Sequence, residues 1–456
     1  MSFCRTDVIQ SVVLMASPRM DDSAPRNSLL PVLGLFFGIA VALGSTLGVG
    51  ILRQPGPVAS YLREPWLILP MWLAGAIYSV LGASNVSELA TMIPRAGGFY
   101  VYARAAMGDY AGFAVGWSDF LGNVAATAYA AMAAVEFLGR LIPRIDAVAQ
   151  VVAGAILAFA AIQWFGIRLS ARVQQTASGM AAMALVGLVA GCFLVSAPAN
   201  TQPAPAAPAA SFVAAMVLAI QSIVVTYDGW YAPIYFAEET RQATRQLPRA
   251  MFGGLALVAG IYLLLNAAFL RTLGPARLSA SKFAAADAAR LIFGRASEIV
   301  ISGIAVVILL TLLNSVLMSS TRILFAVSRD GLLWRRAGGV AGNGTPRPAL
   351  ALATLLAVGL VASGTFDRLI AMAGFFYVSS YCSAYISLMV LRRTQPAMPR
   401  PFRVFGYPVM TLLTLGGSLA FLVGAVVSDR RNSVYALLLL MASFPVRWLF
   451  RAGEKS

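Results

Sequence analysis

Histidine is absent from this 456-residue sequence, cysteine occurs three times, and only 11% of the residues are charged. Without histidine there is neither an HExxH zinc motif nor a histidine proton relay, and the chain also lacks a P-loop and a G-x-S-x-G motif. The residues needed for metal-dependent hydrolysis, for ATP use and for catalysis by a serine nucleophile are therefore absent. We expect that the protein is not an enzyme and that it has no cofactor or metal site. The scarcity of charge excludes a soluble globular protein, in which about a quarter of the residues are charged.

The three cysteines, Cys4, Cys192 and Cys382, are odd in number and far apart in sequence. They imply no disulfide framework. We expect them to behave as small apolar side chains.

Apolar residues make up 59% of the chain, and the mean hydropathy is +0.78. These values are typical of a polytopic membrane protein, in which each spanning helix needs about 20 apolar residues. The sequence predicts an all-α fold with twelve transmembrane helices, at 32–61, 66–92, 111–138, 146–166, 173–196, 211–237, 250–274, 296–327, 348–365, 368–391, 407–428 and 432–449.

The formal charge of +16 does not indicate a nucleic-acid partner, because the basic residues are scattered along short loops with no soluble domain to carry a binding face. The positive-inside rule explains them. With the N-terminus in the cytoplasm, 22 of the 34 lysines and arginines fall on the cytoplasmic side. The sequence therefore predicts a multi-pass protein of the cell inner membrane with both termini cytoplasmic, although the loop after span seven carries five basic residues on the outer side.

Two of the twelve apolar runs are interrupted near their middle, one in each half of the chain. The first break covers residues 44–50 (GSTLGVG), and the second covers residues 226–229 (TYDG). Backbone without helical hydrogen bonds is tolerated at membrane depth only where it is buried in protein or lines a watery cavity. Paired broken helices at matching places indicate a transporter's substrate site. The alternative for the first break is close helix packing, since Gly44 and Gly48 have the small-xxx-small spacing.

Five separate sequence blocks resemble the amino acid-polyamine-organocation (APC) superfamily of transporters. In chain order they are GSTLGVGI at 44–51, ELATMIPRAGG at 88–98, EE with RQLPRA between 238 and 250, STR with SRDG between 320 and 331, and RPFRV with GYP between 400 and 408. Within the superfamily, residues 227–230 (YDGW) look most like the L-type and bacterial Ser/Thr-exchanger branch.

The resemblance implies the LeuT-like fold of two inverted five-helix repeats, with helices 1 and 6 broken and alternating access around a site near the middle of the bilayer. We expect the first repeat at 31–196 and the second at 211–391. A cytoplasmic tail (1–30) precedes them, an external Pro/Ala-rich loop (197–210) joins them, and helices 11 and 12 with a short cytoplasmic C-terminus (392–456) follow.

The same resemblance implies how an α-amino acid binds at the breaks. Backbone amides after the first break would hold its carboxylate at a helix N-terminus, and carbonyls before the breaks would hold its ammonium. The amides expected to bind the carboxylate are those of Val49, Gly50 and Ile51, and Gly48 permits the close approach of the ligand. The carbonyls expected to bind the ammonium are those of Thr46, Val225 and Asp228, with Thr226 beside them. The hydroxyls of Ser45 and Thr46 are expected to assist.

Two aspartates and two serines are the candidates for ion coupling. A carboxylate at membrane depth usually marks function, so Asp228 pairs with the substrate ammonium, carries a proton, or caps the second half of broken helix six. Asp119 and Asn123 share one face of span three and either line the pathway or bond neighbouring helices. Ser319 and Ser320 lie where sodium-coupled relatives of this fold bind an ion, or serve as backbone-bonding hydroxyls.

Several further residues suggest gates. Tyr227 and Trp230 flank the second break, and either packs over the substrate or fills space. Three glutamates at the predicted cytoplasmic ends, Glu88, Glu238 and Glu239, are expected to form inner-gate ion pairs with arginines near them, namely Arg95, Arg241, Arg245 and Arg322.

The sequence as a whole favours a secondary transporter of L-amino acids, with neutral amino acids as cargo. Many relatives in this superfamily carry a lysine in span five that stands in for a cation, and the resemblance departs there, because span five of this chain has no lysine or arginine. Exchange without ion coupling, sodium coupling through Ser319 and Ser320, and proton coupling through Asp119 or Asp228 stay open, and exchange is preferred. A cationic amino acid or polyamine transporter of the same fold is the alternative, with a membrane sensor or enzyme as a remote third. The expected partners are the amino acid and the lipid bilayer.

Overall fold

The computed structural model describes residues 28–62, 64–142, 147–194, 212–363 and 366–452. Residues 1–27 of the predicted tail and the whole of the predicted loop 197–210 lie outside the described residues. The described chain is helical, and its isolated β pairing joins Leu33 to Thr240. Both cysteines in the described part, Cys192 and Cys382, are free and buried.

Helices follow one another with short connections. In chain order they are α1 (Leu35–Thr46), α2 (Gly50–Arg53), α3 (Pro55–Leu62), α4 (Pro65–Met92), α5 (Phe99–Met107), α6 (Asp109–Leu141), α7 (Val148–Trp164), α8 (Ile167–Leu194), α9 (Phe212–Thr226), a 3₁₀ helix (Ala232–Glu239), α10 (Ala243–Ala280), α11 (Ala284–Phe293), α12 (Ser297–Arg329), α13 (Arg347–Ser363), α14 (Phe366–Thr394), α15 (Val409–Ser428), α16 (Arg430–Met441) and α17 (Ser443–Ala452).

Seven helical stretches are long and apolar enough to cross a membrane: Pro65–Met92, Asp109–Leu141, Ile167–Leu194, Ala243–Ala280, Ala284–Arg329, Ala373–Thr394 and Val409–Val427. Helices α1, α7, α9 and α13 are apolar but shorter. The molecule is therefore a multi-pass membrane protein. Helices occupy all twelve predicted apolar runs, and their number as complete spans stays a prediction.

The centre of the bundle is the long contact between α6 and α12. The α6 side of this contact is rich in buried alanine, for example Ala128, Ala130 and Ala131. Small side chains let two helix backbones approach closely where no water drives association. Large apolar side chains such as Leu257 on α10 and Val423 on α15 are more than half exposed and face outward, as expected of a surface solvated by lipid.

Both sequence breaks interrupt helices. Helix α1 ends at Thr46, Leu47 has extended dihedrals, and α2 begins at Gly50. Helix α9 ends at Thr226, and the 3₁₀ helix begins at Ala232 after a turn. Gly229 in that turn has φ +111°, a conformation that is costly for residues with a Cβ atom.

Candidate functional site

The two breaks lie directly against each other. A Cβ atom added to Gly229 would lie 2.4 Å from the carbonyl oxygen of Ser45 and 2.8 Å from the amide nitrogen of Thr46. This contact is backbone against backbone, so only glycine fits. The pairing of the breaks inferred from their sequence positions is thus a physical contact.

A cavity of about 800 Å³ opens beside this contact. It extends along α6 as far as Glu136 and Phe137, and Arg53 of α2 lines it nearby. Nine of the predicted site residues line it: Ser45, Thr46, Gly48, Val49, Gly50, Val225, Thr226, Asp228 and Ser319. The other predicted residues, Ile51, Asp119, Tyr227, Trp230 and Ser320, are buried beside it.

The first backbone amides after the first break are available to a ligand. In the described chain no backbone acceptor is found for the N–H groups of Val49, Gly50 and Ile51. Val49 and Gly50 line the cavity. Unpaired amides at a helix start attract anions, although the four-residue length of α2 makes its dipole small.

The carbonyl ends of α1 and α9 converge on one side chain that the sequence interpretation missed. The hydroxyl of Tyr262 on α10 lies 2.8 Å from the carbonyl oxygen of Thr46 and 3.1 Å from that of Thr226. A hydroxyl has one proton, so it donates to one of the two carbonyls at a time. Both carbonyl oxygens therefore keep lone pairs that can accept a further hydrogen bond. Tyr262 therefore ties the two half-helix ends together. The carbonyl of Val225 accepts from the Asp228 amide at 3.2 Å.

The hydroxyls predicted to assist in substrate binding have partners within the protein. Ser45 Oγ lies 2.5 Å from Ser315 Oγ on α12, and Thr46 Oγ1 donates to the carbonyl of Ala42. Each oxygen keeps acceptor capacity for a ligand. Ser45 thereby links the first break to α12.

Asp228 lines the cavity, and a tyrosine hydroxyl holds its carboxylate. Tyr381 of α14 donates to its Oδ1 atom, and Tyr231 lines the same cavity. The N-cap of the 3₁₀ helix is Tyr231, which makes no side-chain cap bond. The capping alternative for Asp228 is therefore wrong in this structure, because the helix resumes three residues later than a cap would require.

Asp119 is fully buried on α6. The Tyr235 hydroxyl lies 2.8 and 3.0 Å from its two oxygens, and Asn123 Nδ2 lies 3.2 Å from Oδ1. The predicted sharing of one helix face is confirmed. Asp119 bonds a neighbouring element, and Asn123 lines the cavity. A role of either residue in a transport pathway stays a prediction. No lysine or arginine in the described ranges forms an ion pair with Asp119 or Asp228.

Ser319 and Ser320 bond their own helix. Ser319 Oγ donates to the carbonyl of Ser315 at 3.0 Å, and Ser320 Oγ donates to that of Leu317 at 2.9 Å. This is the arrangement of the backbone-bonding alternative. The ion role of these residues stays a prediction.

The two predicted gate residues, Tyr227 and Trp230, do not line the cavity, and other aromatic residues do. Tyr227 packs against Trp72 and Tyr262, and Trp230 stacks on Tyr381 with ring centroids 5.8 Å apart. The cavity is lined instead by two tyrosine pairs spaced four residues apart, Tyr231 with Tyr235 and Tyr377 with Tyr381. The i,i+4 spacing of Tyr377 and Tyr381 on α14 is visible in the sequence and could have indicated one tyrosine face. Tyr231 and Tyr235 lie in a turn and the 3₁₀ helix, to which that rule does not apply.

The C-terminal end of α12 carries a cluster of ion pairs with the 3₁₀ helix. Arg322 and Glu239 are both buried and form two parallel hydrogen bonds of 3.0 Å. Arg329 holds Glu238 in the same bidentate way, half-buried, at 2.7 and 2.9 Å. The predicted pairing of Glu239 with Arg322 is confirmed.

Asp330 joins a second group of arginines at the same end of α12. Its oxygens accept from Arg95 at 3.0 Å, from Arg104 at 2.5 Å and from the Tyr100 hydroxyl at 2.9 Å. Burial alone would raise the pKa of the Asp330 carboxyl, but the arginines around it, with Arg329, hold that pKa below its ordinary value of 3.8. Its ion pairs therefore persist as the pH falls to this value and are lost only below it.

The partners predicted for Glu88 are wrong. Its partners are Arg392 and Arg400, the latter at 3.4 Å, and the backbone amide of Val404. None of the four arginines predicted for the inner gate contacts it within the described chain. The reason is that α4 packs against α14 and α15, which brings residues more than 300 positions away to its end.

Comparison with known proteins identifies the family of the chain. The family model for amino acid permeases matches residues 33–444. The chain is 26% identical over 441 residues to the serine/threonine exchanger SteT of Bacillus subtilis, covering 94% of this chain and 99% of that one.

Two human proteins are also similar. The b(0,+)-type amino acid transporter 1 is 26% identical over 439 residues, covering 93% of this chain and 88% of that one. The large neutral amino acids transporter small subunit 2 is 27% identical over 418 residues, covering 87% and 77%. A membrane bundle with paired broken helices and a family match across most of its length leads to one conclusion: the chain belongs to the amino acid permease family.

Proposed function

We propose that this permease is a secondary transporter of neutral L-amino acids that works by exchange and alternating access. The observation that carries the proposal is the cavity at the paired breaks, where unpaired amides and convergent carbonyl ends meet. The names of the similar proteins, an exchanger of serine and threonine and a transporter of large neutral amino acids, favour neutral cargo.

The substrate carboxylate binds the amide end of the first break. The amides of Val49, Gly50 and Ile51 supply N–H donors without any protein charge that would need burial. Gly48 leaves the approach open, since a Cβ atom there would have no neighbour closer than 3.8 Å.

The substrate ammonium binds the carbonyl end. Carbonyls of Thr46, Val225 and Asp228, with Thr226 beside them, suit a group that only donates. Ser45 and Thr46 hydroxyls supply further acceptors. The side chain then points along the cavity, past Val225, towards the part between α4 and α15.

We propose twelve spans with both termini cytoplasmic in the cell inner membrane, and inverted repeats at 31–196 and 211–391. The helices at all twelve predicted runs support this arrangement. The tail (1–30), the loop (197–210) and the last two helices (392–456) lie outside the repeats. In this orientation the ion-pair cluster closes the cytoplasmic end while the cavity runs towards Arg53 and Glu136 on the outer side, as in an outward-facing state.

Thermal stability of the purified protein tests the assigned contacts. A ligand that binds only the folded state stabilises it by about 2.7 kcal/mol at a hundredfold excess over Kd. We expect L-serine or another neutral L-amino acid to stabilise the protein, whereas ethanolamine, without the carboxylate, and 3-hydroxypropionate, without the amine, do not. Equal stabilisation by either analogue would contradict the two-ended site.

Tyr262→Phe removes the hydroxyl shared by the two half-helix ends and keeps the ring. Because one hydrogen bond contributes about 1 kcal/mol, we expect exchange to slow by about fivefold. The measurement is the initial exchange rate per mole of reconstituted protein. Tyr110→Phe, at a half-exposed position of α6, is the matched control and should leave the rate unchanged. Equal rates for both variants would show that Tyr262 only fills space.

A cationic amino acid or polyamine is the second candidate cargo, and the observation in its favour is that Asp228 lines the cavity. Asp228→Asn keeps an acceptor for Tyr381 and removes the charge. For neutral cargo we expect exchange within about threefold of wild type; a cationic cargo would lose at least about tenfold, because bonds to charged groups contribute roughly 1.5 to 3 kcal/mol. Uptake of serine and of arginine by both proteins decides between them.

Coupling to an ion is the alternative to exchange. Protons would use Asp119 or Asp228, which lie in one tyrosine-rich region, and sodium would use Ser319 and Ser320. We favour exchange because one of the similar proteins, SteT, is named as an exchanger.

A further inference from the structure

A second cavity lies at one end of the bundle, where α14 turns into α15. It has a volume of about 690 Å³ and is lined by four arginines, Arg392, Arg393, Arg400 and Arg403, together with Tyr407. We call it the arginine cavity. It is separate from the cavity at the breaks, and it is not part of the proposed amino acid binding site.

Two of its arginines are committed to the fold. Arg392 makes a bidentate pair with the buried Glu88 and stacks over the Tyr407 ring at 3.9 Å. Arg400 donates to backbone carbonyls at the end of α14, including those of Gln395 and Pro396. These contacts fix the wall of the arginine cavity.

The other two arginines have no such contacts. Arg393 and Arg403 line the cavity and are exposed, and neither has an ion pair or hydrogen bond within the described ranges. Among the residues that the structure describes, Glu88 is the acidic side chain that pairs with the cavity's arginines, so four positive charges meet one negative charge. The arginine cavity therefore has an uncompensated positive field and two guanidinium groups free to bind an anion.

An apolar surface continues from the arginine cavity along α15. Leu412 lines the cavity and is 49% exposed. Val409, three residues before it on α15, is 59% exposed, and Phe405, which precedes the helix, is 84% exposed. Large exposed apolar side chains next to arginines at a helix end are typical of a membrane interface. A soluble anion would bind the arginines alone. A phospholipid would bind the arginines with its headgroup and the apolar surface with its acyl chain.

We propose that the arginine cavity binds the phosphate-bearing headgroup of an anionic phospholipid, with an acyl chain along Val409 and Leu412. Arg393 and Arg403 take the headgroup phosphate. Clustered basic residues on a membrane protein bind anionic headgroups in this way, with a contribution from each arginine near the surface.

The test compares phosphatidylglycerol with phosphatidylcholine of the same acyl chains, added to the purified full chain in detergent. Native mass spectrometry counts bound lipids, and thermal unfolding gives their apparent affinity. We expect phosphatidylglycerol to bind more tightly, and Arg393→Gln with Arg403→Gln to weaken it by about thirtyfold. Unchanged phosphatidylglycerol affinity in this double variant would overturn the proposal.

Arg430→Gln with Arg431→Gln is the matched control, since these two exposed arginines lie beyond the far end of α15. We expect it to bind phosphatidylglycerol as wild type does; an equal loss in both double variants would show non-specific attraction and overturn the site. Inorganic phosphate distinguishes the two sources of the anion. Stabilisation by phosphate that needs Arg393 and Arg403, without any selective binding of phosphatidylglycerol, would reject the lipid and assign a free anion.

Discussion

Gly229→Ala is expected to reduce exchange by at least about a hundredfold. The methyl group would lie 2.4 Å from the Ser45 carbonyl oxygen and 2.5 Å from its carbon, so one break must move away from the other. Alanine is also strained at φ +111°, at a cost of about 1 to 3 kcal/mol. Misplacement of binding groups by about 1 Å is enough for a hundredfold loss.

The measurement is the initial exchange rate in proteoliposomes, divided by the amount of folded protein recovered after size-exclusion chromatography. Gly260→Ala is the control, because a Cβ atom at this position of α10 meets no atom within 4 Å. It should exchange like wild type. If Gly229→Ala retained more than half of the wild-type rate, the contact between the breaks would not hold the site.

Glu239→Gln is expected to lower the free energy of unfolding by about 3 to 5 kcal/mol. Glu239 and Arg322 have side chains 0% and 2% exposed, and removal of one partner leaves the other charge buried without compensation. Glu238→Gln breaks the neighbouring pair with Arg329, whose side chains are about one-fifth exposed. We expect that control to cost at most about 1 kcal/mol.

Thermal unfolding of the two variants in the same detergent gives the comparison. A double variant, Glu239→Gln with Arg322→Met, removes both charges and should recover part of the stability lost by Glu239→Gln. Equal unfolding temperatures for Glu239→Gln and Glu238→Gln would show that burial of the Arg322 pair has no special effect on stability.

The features that could be predicted from the sequence depend on a few consecutive residues. Glycine and polar residues inside apolar runs indicated both breaks, because helix interruption is a property of a few consecutive residues. The lining of the cavity by Thr46, Val49 and Asp228 followed from their positions at those breaks. The role of each as a substrate contact stays a prediction.

The contacts that the sequence did not reveal join distant helices. Tyr262 is one tyrosine in an apolar span, and nothing local shows that its hydroxyl meets the ends of α1 and α9. The partners predicted for Glu88 are wrong, because its partner Arg392 becomes a neighbour only when α4 packs against α14. Helix rotation decides which face meets the cavity, and one sequence alone does not fix that rotation.

The most direct test of exchange uses proteoliposomes without ion gradients and at zero membrane potential. A panel of radiolabelled L-amino acids is offered outside, with or without the same unlabelled amino acid inside. We predict that internal substrate stimulates uptake by about tenfold or more for neutral amino acids, because exchange returns the carrier loaded. Uptake that ignores internal substrate and appears only with an imposed proton or sodium gradient would contradict exchange and assign coupling to Asp119, Asp228, Ser319 or Ser320.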